Sequence, residues 1–248
     1  MSEAYVYGCH VVEAILGRAP ERVLTVHFDA GRADTRVNGL RSRVAAMGLA
    51  SEECRKNTLE RFVGDAVHQG VVARVRPAKA VDEQALYRWL DIAPEPLVLV
   101  LDGIQDPRNL GACIRTADAA GAGMVVISRS ESADLTGVAR KAASGAAEWL
   151  PVARVGNLAR VLKGMKERGV WLLGADEGAG TTCHQIGLTG PLGVVLGAEG
   201  AGLRRLTRET CDALVRIPMQ GGVESLNVSV ATGVILYEAL RQRTVGHD

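Results

Sequence analysis

Short runs of continuous apolar residues alternate with amphipathic stretches through the carboxyl-terminal part of the chain. Continuous apolar runs of this length are typical of strands buried on both faces of a parallel sheet. Because strands alternate with helices, the pattern predicts an α/β fold with an open, mostly parallel sheet. The predicted strands are residues 97–101, 124–128, 170–173, 192–196 and 214–217. The predicted helices are residues 110–120, 135–143, 158–168 and 203–211, and a last helix at 227–241.

The last predicted helix is apolar on most of its sides, whereas a helix on the surface of one sheet needs only one apolar stripe. We therefore expect it to be heavily buried. One side of a single sheet does not cover all of this apolar surface, so we expect part of the helix to face a second copy of the chain in a homodimer.

The amino-terminal part alternates in a different way and predicts a small α/β domain. Its predicted elements are a helix at 9–16, a strand at 22–28, a helix at 34–47 and a strand at 71–75. After it, Pro77, Pro94 and Pro96 surround a short helix predicted at 81–90. Glycine usage also changes there, since 22 of the 29 glycines follow residue 96. The pattern predicts a domain at 1–76, a linker at 77–96 and a second domain at 97–248.

Composition excludes several classes of protein. No apolar run approaches the ~18 residues that cross a bilayer, and the first ten residues lack the features of a secretion signal. The five cysteines are scattered without a CxxC pair, and the five histidines are equally dispersed. These features predict a reduced, cytoplasmic, metal-free protein without a membrane partner.

Net charge is +1 and aromatic residues make up 4% of the chain, so composition gives no general case for nucleic-acid binding. Any RNA would be held by local patches. Basic residues outnumber acids in the first half of the amino-terminal part, although a solvated helix face is the plainer interpretation. The arginines of this segment are Arg18, Arg22, Arg32, Arg36, Arg41 and Arg43.

Three polar loops follow predicted strands, at the carboxyl ends where open α/β sheets bind their ligands. They carry the candidate residues Asn109, Arg115, Glu199, Ser225 and Asn227. Each has an ordinary structural interpretation: the asparagines as helix caps, the arginine paired with an aspartate three residues later, and the glutamate at a helix amino end. Their convergence at one sheet edge favours a site.

Glycines at 197, 200 and 202 lie between a predicted strand and helix, where backbone amides can approach a ligand closely. Tight turns alone also explain such glycines. The spacing is GxxGxG rather than the dinucleotide fingerprint GxGxxG, and no phosphate-binding GxxxxGK[ST] occurs. Spacing and periodicity thus indicate an α/β enzyme with a nucleotide-like ligand, without naming a reaction.

Taken together and in order, the three loops resemble the three motifs of the SpoU/TrmH family of RNA ribose 2′-O-methyltransferases, within the SPOUT class. The segments are DPRNLGACIRTADAAG at 106–121, LGAEGAGL at 196–203 and IPMQGGVESLNVSVATGVILYEA at 217–239. YGCHVVEAIL at 7–16 and VHQGVVARV at 67–75 are similar to the substrate-binding extension of members that act on 23S rRNA. The resemblance covers essentially the whole chain. Glu224 departs from it, because relatives usually carry a small or polar residue there.

The resemblance implies an L30e-like amino-terminal domain and a SPOUT domain whose last segment forms a trefoil knot. It implies a homodimer that uses S-adenosyl-L-methionine to methylate a guanosine in the P-site loop of 23S rRNA. The cofactor-binding residues by motif position are Leu196, Gly197, Gly202, Ile217, Met219 and Leu226. The implied catalytic residues are Arg115, Asn109, Glu199, Ser225 and Asn227, and the implied RNA-binding residues are Arg115, Arg140 and Lys141.

Arg115 is the residue expected to act on the ribose hydroxyl. A neutral hydroxyl is a poor nucleophile, so a nearby group has to stabilise its developing negative charge or accept its proton. A guanidinium is a poor base, which favours an electrostatic and positioning role for Arg115. Three alternatives remain from the sequence: a tRNA 2′-O-methyltransferase of the same family, a dinucleotide-dependent oxidoreductase, and a noncatalytic RNA-binding module.

Overall fold

The computed structural model describes residues 3–64, 66–76 and 81–245, and the chain divides into two compact units. The first unit comprises Met1–Lys79 together with Ser144–Trp149, and the second comprises Ala80–Ala143 with Leu150–Asp248. The segment 144–149, which belongs to the first unit, lies far away in sequence. Its Glu148 is almost fully buried and accepts a hydrogen bond from Arg22 at 3.2 Å.

The first unit contains a mixed sheet. Strand β4 is antiparallel to both β1 and β2, and β2 is parallel to the edge strand β3, giving the order β1-β4-β2-β3. Sequence analysis did not predict β1, β3 or α3. The elements are β1 (Ala4–Tyr7), α1 (Cys9–Arg18), β2 (Val23–Asp29), α2 (Thr35–Ala46), β3 (Ser51–Cys54), α3 (Lys56–Val63) and β4 (Val71–Val75).

Successive residues of β2 point to opposite faces of this sheet. Val26 and Phe28 belong to a core shared with the apolar residues of α1 and α2. His27 points the other way and contacts Phe62 of α3, with the ring centroids 4.8 Å apart. The α2 helix begins after Asp34, whose carboxylate accepts hydrogen bonds from two backbone amides of the first turn.

The two amino-terminal segments quoted for the resemblance meet in this unit. The Cys9 amide donates a hydrogen bond to the side-chain oxygen of Gln69 at 3.0 Å. Gln69 has a φ of 54° and Gly70 a φ of 81°, so the chain turns sharply before β4. The turn therefore fixes the start of α1 against the start of β4.

The second unit contains a parallel sheet of seven strands in the described residues, ordered β7-β6-β5-β10-β8-β11-β9. All five predicted strands are present with bounds shifted by at most two residues, whereas β7 and β9 were not predicted. The strands are β5 (Leu97–Asp102), β6 (Met124–Ser128), β7 (Val152–Val155), β8 (Trp171–Ala175), β9 (Thr181–Thr182), β10 (Leu192–Gly197) and β11 (Ala213–Arg216). The helices are α4 (Glu83–Leu90), α5 (Pro107–Ala119), α6 (Gly137–Ala142), α7 (Leu158–Lys166), α8 (Arg205–Thr210) and α9 (Val228–Val245).

The linker expected at 77–96 needs a correction. Residues 77–80 lie outside the described residues, but 81–96 are part of the second unit rather than a free connection. Leu86 and Leu90 on α4 are buried in the core beneath the sheet, and Val81 forms a bridge to Ala153. The short helix was predicted, but its apolar face was overlooked.

Helix α9 is buried on one side only. Ile235, Leu236 and Ala239 are fully buried, whereas Val230 and Tyr237 are about half exposed at 51% and 49%. The expectation of heavy burial therefore holds for one face of the helix. Within the described ranges, no helix combines the length and the apolar character needed to span a membrane.

Candidate functional site

A cleft of about 560 Å³ opens where β10 and β11 end. Its walls come from the loop that follows β10 and from the segment between β11 and α9. The position agrees with the rule that parallel sheets bind ligands at their carboxyl edge. All six residues expected to bind a cofactor line it, namely Leu196, Gly197, Gly202, Ile217, Met219 and Leu226.

The loop after β10 depends on glycine at two points. Gly202 has a φ of 63°, and its amide donates a hydrogen bond to the Ala198 carbonyl at 2.9 Å. A Cβ on Gly197 would lie 2.0 Å from the carbonyl carbon of Gly202, which is backbone and cannot yield locally. The loop thus folds back on itself, and its main chain forms one wall of the cleft.

An ion pair that sequence analysis missed anchors the end of this loop. Asp102, at the end of β5, is 1% exposed and lies opposite Gly197 in the sheet register. Its carboxylate accepts one hydrogen bond from the Arg204 amide at 3.1 Å and another from Nε of the same residue at 2.6 Å. The signal in the sequence was a charged residue ending an otherwise apolar strand, which burial without a partner would make costly.

The three polar loops are joined by hydrogen bonds at the mouth of the cleft. Oε1 of Glu199 accepts a hydrogen bond from Asn109 Nδ2 at 3.0 Å and another from Asn227 Nδ2 at 2.5 Å. Nδ2 of Asn227 also lies 3.1 Å from Oδ1 of Asn109. Hydrogen bonds to a carboxylate are stronger than neutral ones, so this triad fixes the loops relative to one another.

The capping interpretation holds for one asparagine and not for the other. Helix α5 is capped by Asp106, whose carboxylate accepts the Arg108 amide at 2.7 Å, so Asn109 is available to the triad. Asn227 both caps a helix and belongs to the triad. Its Oδ1 accepts a hydrogen bond from the Ser229 amide at 2.9 Å, while its Nδ2 donates one to Glu199. Asn227 therefore couples the start of α9 to the cleft.

Ser225 and Glu224 line the cleft as exposed residues. Arg115 does not line it: this arginine is exposed on α5, in the third turn of the helix. Of the two further residues expected to bind RNA, Arg140 is half-buried and Lys141 is exposed, both on α6. The structure therefore brings four of the five expected catalytic residues together and leaves Arg115 outside that group.

Helix α5 packs closely against both α6 and α9. A Cβ on Gly111 would lie 2.2 Å from the Ala139 carbonyl oxygen, so α5 and α6 approach at a glycine. Cys113 of α5 lies 3.4 Å from the Thr232 hydroxyl of α9, and burial raises the pKa of Cys113 to about 11. At neutral pH this thiol is protonated and acts as a packing residue, not as a nucleophile.

Most arginines of the first unit are engaged within the chain. Arg32 pairs with Asp34 at 2.5 Å, Arg41 pairs with Glu53 at 2.8 Å, and Arg18 lies over the Trp149 ring at 4.6 Å. The basic bias of this segment therefore consists largely of partnered side chains. This agrees with the plainer interpretation given above.

Two family models match this chain. Residues 96–237 match the SpoU rRNA Methylase family, and residues 5–81 match a model described as RNA 2′-O ribose methyltransferase substrate binding. Together they span both units and contain all three polar loops.

Named relatives and solved structures are similar over nearly the whole chain. The 23S rRNA (guanosine-2′-O-)-methyltransferase RlmB of Haemophilus influenzae is 50% identical over 98% of this chain and 99% of its own length. The enzyme of the same name from Vibrio vulnificus is 46% identical, with 98% of each chain covered. Among solved structures, the SpoU methyltransferase AviRb from Streptomyces viridochromogenes in complex with AdoMet has a TM-score of 0.80 at 27% identity, covering 98% of this chain and 92% of that one.

Proposed function

The chain belongs to the SpoU rRNA methylase family, and on that premise we propose that it methylates the ribose 2′-hydroxyl of a guanosine in 23S rRNA with S-adenosyl-L-methionine as the donor. The observation that carries the proposal is the triad of Asn109, Glu199 and Asn227. It joins all three loops around one cleft, in a chain that matches the RlmB enzymes along nearly its full length.

The cleft is suited to the donor. Its volume of about 560 Å³ falls in the range of roughly 300–1,000 Å³ that small-molecule sites occupy. The main chain at Gly197 and Gly202 forms one wall, and a side chain on Gly197 would clash with the backbone of Gly202. We assign Leu196, Ile217 and the other lining residues named above to donor binding. When bound, the donor supplies an electrophilic methyl group.

The remaining roles in methyl transfer are assigned to residues of this chain. The 2′-oxygen gains negative charge as its proton leaves, and an arginine near it lowers the energy of that charge. We assign this electrostatic role to Arg115, which also binds a neighbouring phosphate through its planar fork. The proton passes to that phosphate or to water. Asn109, Glu199, Ser225 and Asn227 keep the loops in the geometry that transfer needs.

Finer parts of the proposal concern substrate and assembly. We assign RNA binding to the first unit, aided by Arg140 and Lys141, and the target to the P-site loop. The family pattern also favours an L30e-like first domain, a carboxyl-terminal trefoil knot, a homodimer, and a cytoplasmic reaction. No metal takes part in methyl transfer in this scheme, because the donor is already activated.

The proposal is tested by mapping ribose methylation in 23S rRNA from a strain that lacks this protein. We expect one guanosine to lose its 2′-O-methyl group and to regain it when the intact gene is restored. Restoring an Arg115→Ala variant should leave the guanosine unmethylated. Unchanged 23S rRNA together with a change in tRNA would overturn the assignment and favour a tRNA enzyme of the same family.

A further inference from the structure

Three side chains able to bind a metal lie together on one face of the first unit, far in sequence from the methyltransferase motifs. His27 on β2 is paired in register with Glu52 on β3, and Cys54 follows two residues later on the same strand. Because alternate residues of a strand share a face, Glu52 and Cys54 point to the same side as His27. Sequence analysis missed this group, because its members are separated by 25 residues and form no spacing motif.

The distances in this group suit a small, four-coordinate cation. His27 Nδ1 lies 3.2 Å from Glu52 Oε2 and 3.9 Å from Cys54 Sγ, and all three atoms lie within 4.8 Å of one another. Bonds of ~2.0–2.3 Å from Zn²⁺ to nitrogen, oxygen and sulfur place tetrahedral ligands ~3.3–3.8 Å apart. Small side-chain rotations therefore bring the three atoms onto one ion.

The surrounding residues hold the imidazole in place. His27 is 5% exposed and its ring lies against Phe62, which in turn stacks on Tyr5. Its Nε2 is buried and makes no hydrogen bond within the described residues. The other ring nitrogen, Nδ1, faces Glu52 and Cys54.

The charges nearby leave Glu52 available to a cation. The charge of Arg74 acts on His27, but its guanidinium lies 3.6 Å from Glu3 and donates to Thr25. Glu53, the residue after Glu52, points to the opposite face and pairs with Arg41. The Glu52 side chain is 65% exposed, so an ion and its water have a direct path from solvent.

We propose that His27, Glu52 and Cys54 form a binding site for a zinc-class divalent cation, with water as the fourth ligand. A mixture of nitrogen, carboxylate and thiolate ligands selects Zn²⁺ or Co²⁺ over Mg²⁺ and Ca²⁺. On binding, the S–H bond of Cys54 breaks, a metal–sulfur bond forms, and the proton leaves to solvent. The ion cross-links the edge strand β3 to β2. The proposal is independent of methyl transfer.

The test titrates Co²⁺, which reports thiolate ligation by a charge-transfer band, into the full-length protein freed of metal. We expect one Co²⁺ to bind per chain and to produce that band, and we expect Zn²⁺ to displace it. Cys54→Ser should abolish the band, whereas Cys183→Ser, a buried cysteine of the second unit, should keep it. Glu52→Gln should weaken binding at least about tenfold, whereas the matched Glu53→Gln should not.

Thermal unfolding provides a second measurement that does not depend on a chromophore. Zn²⁺ should raise the Tm of the intact protein and leave that of Cys54→Ser unchanged, because only the folded site binds the ion. Circular dichroism of each variant without metal checks that it is folded. A missing charge-transfer band at equimolar Co²⁺, or a band that survives in Cys54→Ser, would overturn the proposal.

Discussion

At the scale of single residues, some side chains of the site hold its loops in position, whereas Arg115 is expected to act on the substrate. The triad is held by three side chains whose hydrogen bonds are already made within the chain. Asp102 and Arg204 act one step further away, by fixing the loop that follows β10. Arg115 differs from all of these because it is exposed and lies outside the cleft. Its contribution is therefore separable from donor binding.

Replacing Arg115 tests that separation. Arg115→Ala should slow single-turnover methylation by about 100-fold or more, as removal of an oxyanion donor does, while the Kd for the donor stays near normal. Donor affinity is measured by calorimetry and transfer by rapid quench. Arg115→Lys keeps the charge without the fork, so rescue by lysine indicates simple electrostatics rather than two-point phosphate binding. Near-normal transfer by Arg115→Ala would contradict the assignment.

A methyl group added to the loop tests the donor site. In Gly197→Ala the new Cβ meets the backbone of Gly202, and the loop has to move. Overpacking of this kind costs ~1–3 kcal/mol, so the donor should bind at least about fivefold more weakly. The control is Gly221→Ala, also beside the cleft, where an added Cβ meets nothing within 4 Å. Equal donor affinity in the two variants would argue against a donor site at this loop.

At the scale of elements, sequence analysis predicted the strands that a local run of apolar residues marks. Strands β5, β6 and β10 are continuous apolar runs, and all three were predicted with bounds within one residue. The edge strand β3 was missed because its residues, Ser51–Cys54, carry little apolar pattern to detect. The short β9, Thr181–Thr182, gave no signal for the same reason.

The contacts between elements were beyond local pattern. Sequence analysis gathered the site residues at one sheet edge, because strand ends converge there. It did not predict which side chains bond, since Asn109 and Glu199 are 90 residues apart. The same limit hid the ion pair of Asp102 with Arg204 and the buried face of α4, both of which depend on tertiary packing.

Glu238 on helix α9 makes the stability of the folded protein depend on pH. Hydrogen bonds from Arg241, then from Gln242, lower the pKa of Glu238 from 4.5 to about 2, and His184 lies 3.6 Å away. A lowered pKa stabilises the folded protein above pH 4.5, and this contribution is lost as the pH falls towards 2. Glu238→Gln should therefore reduce stability by about 1 kcal/mol at pH 7 and by less at pH 3.

Urea unfolding at the two pH values measures this difference. The control is Glu209→Gln, which removes an exposed pair with Arg205 on α8 and should change stability by less than about 0.5 kcal/mol. Should Glu238→Gln destabilise the protein equally at pH 7 and pH 3, its effect would be one of packing and not of charge.

At the scale of the whole molecule, the proposed homodimer would explain why α9 keeps apolar residues in solvent. Val230 and Tyr237 are half exposed on this helix, and α9 packs against α5, which carries Arg115. Light scattering at micromolar concentration should give the mass of two chains. Val230→Glu together with Tyr237→Glu should shift that mass towards one chain, because each charge would have to be buried. A monomeric mass for the unmodified protein would refute the dimer.

In a dimer, Arg115 of one chain can lie beside the cleft of the other chain. Arg115 does not line the cleft of its own chain, yet it lies on a helix packed beside the proposed dimer face. We therefore expect Arg115 of one chain to serve the cleft of its partner. At a donor concentration well below the raised Kd of Gly197→Ala, both variants are defective, but a mixed dimer would combine one intact cleft with one intact arginine. Random mixing makes half the dimers mixed with one working site each, so activity should recover to about a quarter of normal. Recovery is measured after the two variants are unfolded and refolded together, against each refolded alone. If the mixture stays as inactive as its components, Arg115 acts on the cleft of its own chain.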